Sequence, residues 1–298
     1  MSTDDSQTRY LLYAVGAFGF WGLAPIYFKW IDVVSPFEIM AHRVIWSALF
    51  LWLFMIAFKR EIKLAEIVAT PRLLGGLILS CILISVNWFL FVWAVVNDQV
   101  LSTSLGYFIN PVISVFLGML FLGERLSNKQ YFALGLVLLA IANMIWSVGE
   151  LPWIALSLAF SFGLYGLIRK QLEIDSFNGL FFEVLLVLPL ALGYLWYLQQ
   201  AGELSFLNIS LQMDGLLILG GFVTLFPLVL FAASVKGIKL STVGFIQYLA
   251  PSLTFLLAVF YFGEPFSFDK LVSFILIWCA LVLISFDLLR QRKINRGG

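Results

Sequence analysis

The sequence predicts an all-α polytopic membrane protein with ten transmembrane helices, built as two inverted five-helix repeats with the N- and C-termini cytoplasmic. Three observations lead there. Of 298 residues, 62% are hydrophobic, 17% aromatic and 12% charged, against roughly 45–50% apolar and about 25% charged in soluble domains. Apolar runs long enough to cross a bilayer, roughly 17–25 residues each, recur along the whole chain. A stretch starting at Phe91 returns, without a gap, at Phe231.

The opening MSTDDSQTRY is polar and acidic and lacks the basic start and small-residue cleavage site of a signal peptide, so the first helix is expected in the mature protein. Tyr10–Trp30 carries Gly16, Gly19 and Gly22, which suit close helix approach, and Pro25. Phe37–Phe58 holds Glu38, His42 and Arg43 in an otherwise apolar run. Leu73–Val96 contains Asn87 and Trp88, and Ser102–Leu122 contains Tyr107, Asn110 and Pro111. Tyr131–Val148 follows Ser127-Asn-Lys-Gln130, which has the spacing of a capping box. Trp153–Arg169 is short, but omitting it would merge two charge clusters into an impossible topology. Phe177–Leu198 carries Glu183 and Pro189, Met213–Val235 carries Pro227, and Thr242–Phe262 carries Gln247, Tyr248 and Pro251. Lys270–Leu289 is the tenth.

Orientation follows from basic residues, because short cytoplasmic loops are enriched in Lys and Arg. With the N-terminus inside, the inner set is Arg9; Lys59, Arg60, Lys63 and Arg72; Arg125 and Lys129; Arg169 and Lys170; Lys236 and Lys239; and Arg290, Arg292, Lys293 and Arg296. These are fifteen of 18 basic residues. Lys29 and Lys270 fall outside, and Arg43 lies within a span.

At an offset of 140, Phe91 matches Phe231, Pro111 matches Pro251, Gly123-Glu124 matches Gly263-Glu264, and Ser127 matches Ser267. Gly19-Phe-Trp-Gly22 matches Gly163-Leu-Tyr-Gly166 more loosely. The repeats are residues 1–149 and 150–298. Five spans per copy is an odd number, so the second copy enters the membrane upside down. Secondary transporters use this architecture because exchanging the conformations of two halves alternates access to a site between them; a duplication kept for folding, as in a channel, is the competing reading. Pro111 and Pro251 sit near mid-depth, where each removes a hydrogen-bond donor and is expected to bend its helix.

Charge inside a span costs about 2.5–3.5 kcal/mol and usually faces a cavity or a partner. Arg43 lies about 9 Å from the outer end at 1.5 Å per residue, and Asn87 and Asn110 reach similar depth. Its equivalent in the second half is Glu183, and that of Tyr107 is Gln247. Arg43, Asn87 and Asn110 are therefore expected to form an outer gate or to meet an anionic substrate group, with Glu183 and Gln247 serving the inner gate. The alternatives for Arg43 are a static pair with Glu38 or backbone carbonyls, or a side chain reaching outward. Glu38, His42 and Trp46 share one helix face by their i, i+4 spacing; His42 suits a proton-coupled step, or a plain hydrogen bond to Glu38. Trp21, Trp88, Trp93, Tyr107, Tyr165 and Tyr248 are candidates to line an amphipathic cavity, set against ordinary packing. Glu124 and Glu264 follow glycines at helix ends and read as turn chemistry.

HRVIWS from His42, NWFLFVWAV from Asn87, SLGYFINP from Ser104, LGERL from Leu122, LAFSFGLYGLIRK from Leu158 and LSTVGFIQYLAPSLTFLLAVFYFGE from Leu240 resemble the RarD-type transporters of the EamA family, within the drug/metabolite transporter superfamily. The resemblance covers nearly the whole chain and implies a multi-pass protein of the bacterial inner (plasma) membrane with two EamA repeats around a central cavity. It assigns no substrate ligands.

The expected activity is permease or exporter action on a small amphipathic metabolite or drug by alternating access. No cofactor is expected: there is no G-x-x-x-x-G-K-[ST] loop for a nucleotide, and the single histidine has no companion metal ligands nearby. An intramembrane enzyme would need a motif such as H-E-x-x-H or G-x-S-x-G, and neither is present. The expected partners are a small-molecule substrate and the lipid bilayer. A coupling proton and a homodimer are compatible with the sequence rather than required by it, and nucleic acid is excluded for want of a basic stripe.

Overall fold

The computed structural model describes residues 3–97, 100–148, 153–263 and 268–297; Glu264, Ser267 and residues 98–99 and 149–152 lie outside them. The regular elements among the described residues are all helices, without strands. α1 (Thr3–Trp30) and α2 (Pro36–Ala57) are followed by a short α3 (Leu64–Ala69), then α4 (Pro71–Val96), α5 (Val100–Leu122) and α6 (Asn128–Val148). α7 (Trp153–Gln171), α8 (Ser176–Ala201) and α9 (Leu211–Gly237) lead to α10 (Leu240–Gln247), α11 (Leu249–Leu256), a π-helical turn at Leu257–Tyr261 and α12 (Phe268–Gly297).

By length and composition, seven helices among the described residues are apolar and long enough to cross a membrane: α1, α2, α4, α6, α8, α9 and the Leu240–Tyr261 segment. Gly106–Leu122 of α5 and Leu271–Asp287 of α12 are shorter apolar helices. α3 falls in a loop that the apolar pattern leaves unassigned. Its one buried residue, Ile67, packs beside Leu73 and Leu77.

The packing is close to two-fold. Exchange α1 with α7, α2 with α8, α4 with α9, α5 with α10–α11 and α6 with α12, and most of the helix packings map onto one another; α7 against α9 is the exception, with no α1–α4 packing of similar extent. α5 packs on α7 as α11 packs on α1; α4 packs on α7 as α9 packs on α1; α9 packs on α2 as α4 packs on α8. α5 against α10, α2 against α8, and α6 against α12 are self-paired. At the centre, the Tyr248 hydroxyl donates to the Phe108 carbonyl at 2.8 Å, and a Cβ on Gly244 would lie 2.7 Å from the Pro111 carbonyl. Only glycine lets α10 approach α5 so closely.

Local signals account for the element ends. Ser127 N–H donates to Gln130 Oε1 at 3.0 Å and Gln130 N–H returns to Ser127 Oγ at 3.2 Å, a capping box at the start of α6. Gly123 and Gly263 hold φ of +61° and +68°, the left-handed conformation that ends helices cheaply only in glycine. Pro251 offers no N–H to the Gln247 carbonyl, and the chain breaks there: Tyr248 N–H bonds instead to Phe245 O at 3.3 Å before α11 resumes. Pro111 lies inside α5, which continues through it.

Connections alternate between two ends of the bundle. One end gathers Lys59–Lys63, Arg125, Lys170, Lys236 and Lys239, and is called the basic end below. At the other, Glu38 at the start of α2 accepts from Ser205 N–H (2.8 Å) and Phe206 N–H (3.1 Å) of the α8–α9 connection.

Candidate functional site

Between the halves lies a cavity of about 280 Å³, displaced away from the basic end. Phe18, Trp21, Pro25 and Phe28 of α1, Arg43 of α2, Asn87 and Trp88 of α4, and Tyr107 and Asn110 of α5 line one side. Leu158 and Phe162 of α7, Thr224 and Leu228 of α9, Gln247 of α10, and Pro251 and Thr254 of α11 line the other. Most of the wall is apolar, with a few convergent polar groups, the usual make-up of a small-molecule site.

Arg43 is the one charged residue of that lining, and its guanidinium is held edge and face. Nε donates to Thr224 Oγ1 at 2.6 Å, and Thr224 in turn donates to the Gly220 carbonyl at 2.8 Å. The planar group lies 5.5 Å from the ring centres of both Phe28 and Trp88, positions that favour a cation over an aromatic face. Among the described residues no carboxylate pairs with it and neither terminal nitrogen has a hydrogen-bond acceptor.

The neutral polar groups are partly committed. Asn87 Nδ2 donates to Leu158 O at 2.8 Å and Ser161 Oγ at 2.9 Å, tying α4 to α7. Gln247 Oε1 accepts from Ser114 Oγ at 3.2 Å. Asn110 Oδ1 is buried without a partner among the described residues. Tyr107 lines the cavity beside Phe91 and is 52% exposed.

Toward the basic end the cavity stops at aromatic rings. Phe18, Trp21, Phe162, Tyr165 and Phe231 contact one another at centroid distances of 5.0–6.1 Å. Tyr165 and Phe231 stack within 15° of parallel, and Leu240 and Val243 pack into the same cluster. Below this floor, Glu124 accepts from Leu240 N–H (2.6 Å), Ser241 N–H (2.8 Å) and Ser241 Oγ (2.6 Å), so a carboxylate from the α5–α6 turn caps the N-terminus of α10. Lys170 Nζ donates to Val235 O at 2.8 Å, and Lys236 Nζ to Leu172 O.

Glu183 lies outside the cavity, within this closed region. Its carboxylate pairs with Arg169 at 3.4 Å, both side chains being almost wholly buried. It also accepts from Ser80 Oγ and from the Tyr165 hydroxyl at 3.3 Å, and Arg169 reaches the Ser176 carbonyl at 3.4 Å. One carboxylate thus joins α4, α7 and α8.

The sequence-derived candidates therefore divide. Arg43, Asn87, Trp88, Tyr107, Asn110, Gln247 and Pro251 line the cavity. His42, Pro111, Tyr165, Glu183 and Tyr248 do not. His42 sits behind α2: Trp46 Nε1 donates to its Nδ1 at 3.2 Å, which assigns the proton to Nε2, and Nε2 lies 3.8 Å from Glu38. The Glu38–His42–Trp46 face is as its spacing predicts, but it packs on Phe206 rather than on the cavity. Glu38 is engaged by the α8–α9 connection and makes no pair with Arg43. Trp93 meets Trp153 at a tilt of 53°, with ring centroids 5.6 Å apart, and is not part of the cavity lining.

Thr224, Phe162, Phe231 and Arg169 surround the candidate site without any signal in the sequence that singles them out. The first three are ordinary residues of apolar helices, and Arg169, beside Lys170 at the end of a short span, reads as a loop charge although it is completely buried. Glu124 is more than turn chemistry: its N–H closes the turn on the Gly118 carbonyl at 3.1 Å, and its carboxylate caps α10 as well.

A family model described as the EamA-like transporter family matches residues 8–146 and again residues 152–286. The chain is 42% identical to an "Uncharacterized transporter" of Vibrio cholerae serotype O1, covering 96% of this chain and 95% of that one. It is 41% identical to "Protein RarD" of Escherichia coli K12 over 98% of this chain and 100% of the other. It is 30% identical to "Chloramphenicol-sensitive protein RarD" of Pseudomonas aeruginosa, over 92% and 93%. A crystal structure of a protein 14% identical in sequence has the same fold, with a TM-score of 0.73 over 92% of this chain and 96% of that one.

Proposed function

This chain belongs to the EamA-like transporter family, as a multi-pass protein of the bacterial inner membrane, and from that premise we propose that it exports a small amphipathic metabolite or drug by alternating access. In this reading ten spans cross the bilayer as two inverted five-helix repeats, both termini are cytoplasmic, and the basic end faces the cytoplasm. The double family match and the near two-fold exchange of helix contacts support the repeat. The basic residues of the α3, α5–α6, α7–α8 and α9–α10 connections support the orientation.

The carrying observation is a cavity lined by both halves and bounded toward the basic end by packed aromatic rings. A carrier caught between cycles has that form: an outward-facing site whose inner gate is shut. Arg43, Asn87, Trp88, Tyr107, Asn110 and Gln247 bind or gate on the outer side. Glu183 with Arg169, the Tyr165–Phe231 floor and the Glu124 cap on α10 hold the inner side closed. Pro251 supplies a hinge, because the α10–α11 break gives α10 freedom to swing without unwinding α11. Pro111, Tyr248 and the Glu38–His42 pair are supporting contacts around the moving surfaces, and a proton on His42 is where ion coupling would act.

Flux measurement in proteoliposomes tests the proposal. A carrier gives saturable uptake and accelerated counterflow when vesicles are preloaded with the same solute. Linear, non-saturating flux without counterflow contradicts it and indicates a pore.

A further inference from the structure

We infer that the cavity selects a small amphiphile bearing one anionic group, a carboxylate, and that Arg43 is the residue that reads its charge. The inference rests on the carrier reading above but goes beyond it, since alternating access by itself demands no charge on the cargo.

The argument is one of electrostatic accounting. A guanidinium drawn out of water loses hydration that its protein surroundings must replace. Arg169, which is completely buried, recovers this through a carboxylate 3.4 Å away, whereas Arg43 is partly buried on the cavity wall. Arg43 has no such partner: it has one neutral hydroxyl at 2.6 Å and two aromatic faces at 5.5 Å. Cation–π contacts and one neutral hydrogen bond are each weaker than a paired carboxylate, so the protein offsets only part of the cost. The remaining field is directed into the cavity, whose lining contains no acid.

Geometry agrees with charge. Thr224 occupies Nε, which fixes the plane of the guanidinium and leaves the two terminal nitrogens as a fork. That fork matches a carboxylate in two parallel hydrogen bonds. Gln247 adds a donor, because Ser114 already occupies its carbonyl oxygen and leaves the amide nitrogen for a ligand. Phe18, Trp21, Phe28, Trp88 and Phe162 surround the remaining volume and suit an aromatic or aliphatic body. At about 280 Å³ the space lies at the small end of ligand sites, roughly 300–1,000 Å³.

The test is equilibrium binding by calorimetry to the full chain in lipid nanodiscs. The probes are hydrocinnamate, indoleacetate and hexanoate, each beside its own neutral amide, with phenylpropylamine as the cation of the same shape. The expected result is that at least one carboxylate binds and that its amide is weaker by roughly tenfold or more, the scale of a charge-assisted hydrogen bond. Arg43→Gln should abolish that difference and Arg43→Lys should restore part of it. The inference is overturned if an amide or the amine binds as well as its carboxylate, if no carboxylate binds at millimolar concentration, or if a folded Arg43→Gln protein keeps the preference. Counterflow of any ligand that binds reads the carrier proposal separately: a neutral probe that exchanges across the membrane removes the anion and leaves the carrier standing.

Discussion

Arg43 and Glu183 occupy equivalent places in the two halves, 140 positions apart, and their surroundings are opposite. Arg43 faces a cavity with no acid to meet it. Glu183 is enclosed by Arg169, Ser80 and Tyr165, under a floor of aromatic rings. If one structural unit is used twice, the difference is one of state rather than of design. One half presents its intramembrane charge to a site, and the other has its charge locked away. In the proposed alternating cycle the two halves exchange those roles, and the helix packings they share support it.

The two charges should respond differently when removed. Glu183→Leu is expected to have the largest effect, since it leaves Arg169 buried and unpaired at a cost of about 3–5 kcal/mol. A large fall in the thermal unfolding midpoint in detergent would register it, and the double variant Glu183→Leu with Arg169→Leu should regain much of the loss. Equal losses for the single and double variants would mean that pairing is not what holds this region. Gly244→Val comes next. Its Cβ would meet the Pro111 carbonyl at 2.7 Å and Val115 Cγ2 at 3.0 Å, and forcing the two central helices apart should cost about 1–3 kcal/mol in the same assay.

Glu124→Ala removes three hydrogen bonds to the start of α10, a loss of about 1–3 kcal/mol. Its sharper signature is functional: the basic end should open more often, so that Ala232→Cys, buried at present, reacts faster with a polar thiol reagent. An unchanged rate would reduce Glu124 to a static cap. Arg43→Leu should have the smallest effect on stability, within about 1 kcal/mol, because no acid loses a partner. Transport should nevertheless be lost. A stable Arg43→Leu protein that carries solute at the wild-type rate would break the comparison at its outer end.

Much of this was visible in the sequence, for physical reasons. Arg43 stands out because lipid makes any charge in a span expensive, and Asn87, Asn110 and Gln247 follow from the same rule applied to amides. The chain break at Tyr248 follows from Pro251, which cannot donate to the turn before it. The capping box at Ser127 is a purely local signal. What stayed hidden depends on tertiary context. Arg169 follows an apolar run and precedes Lys170, so nothing local separates a buried arginine from a loop one; its partner lies in the next helix. Phe162 and Phe231 are two of 30 phenylalanines, and packing alone makes them a floor. Thr224 looks like any helix threonine until Arg43 arrives from the other half. Glu124 has the opposite history, since its glycine explained it too easily and hid its work on α10.

The central claim, that the cavity is the outward half of an alternating pair, has one direct test. In a protein whose Cys81 and Cys279 are replaced, introduce Ala250→Cys at the cavity and Ala232→Cys below the aromatic floor, and label each in intact cells and in inverted vesicles, with and without transported solute. The expected result is reciprocal: Ala250→Cys reacts from the periplasmic side and is protected as solute turns over, while Ala232→Cys becomes reactive from the cytoplasmic side under the same condition. Two sites that react independently of solute, or both from one side of the membrane, would contradict it.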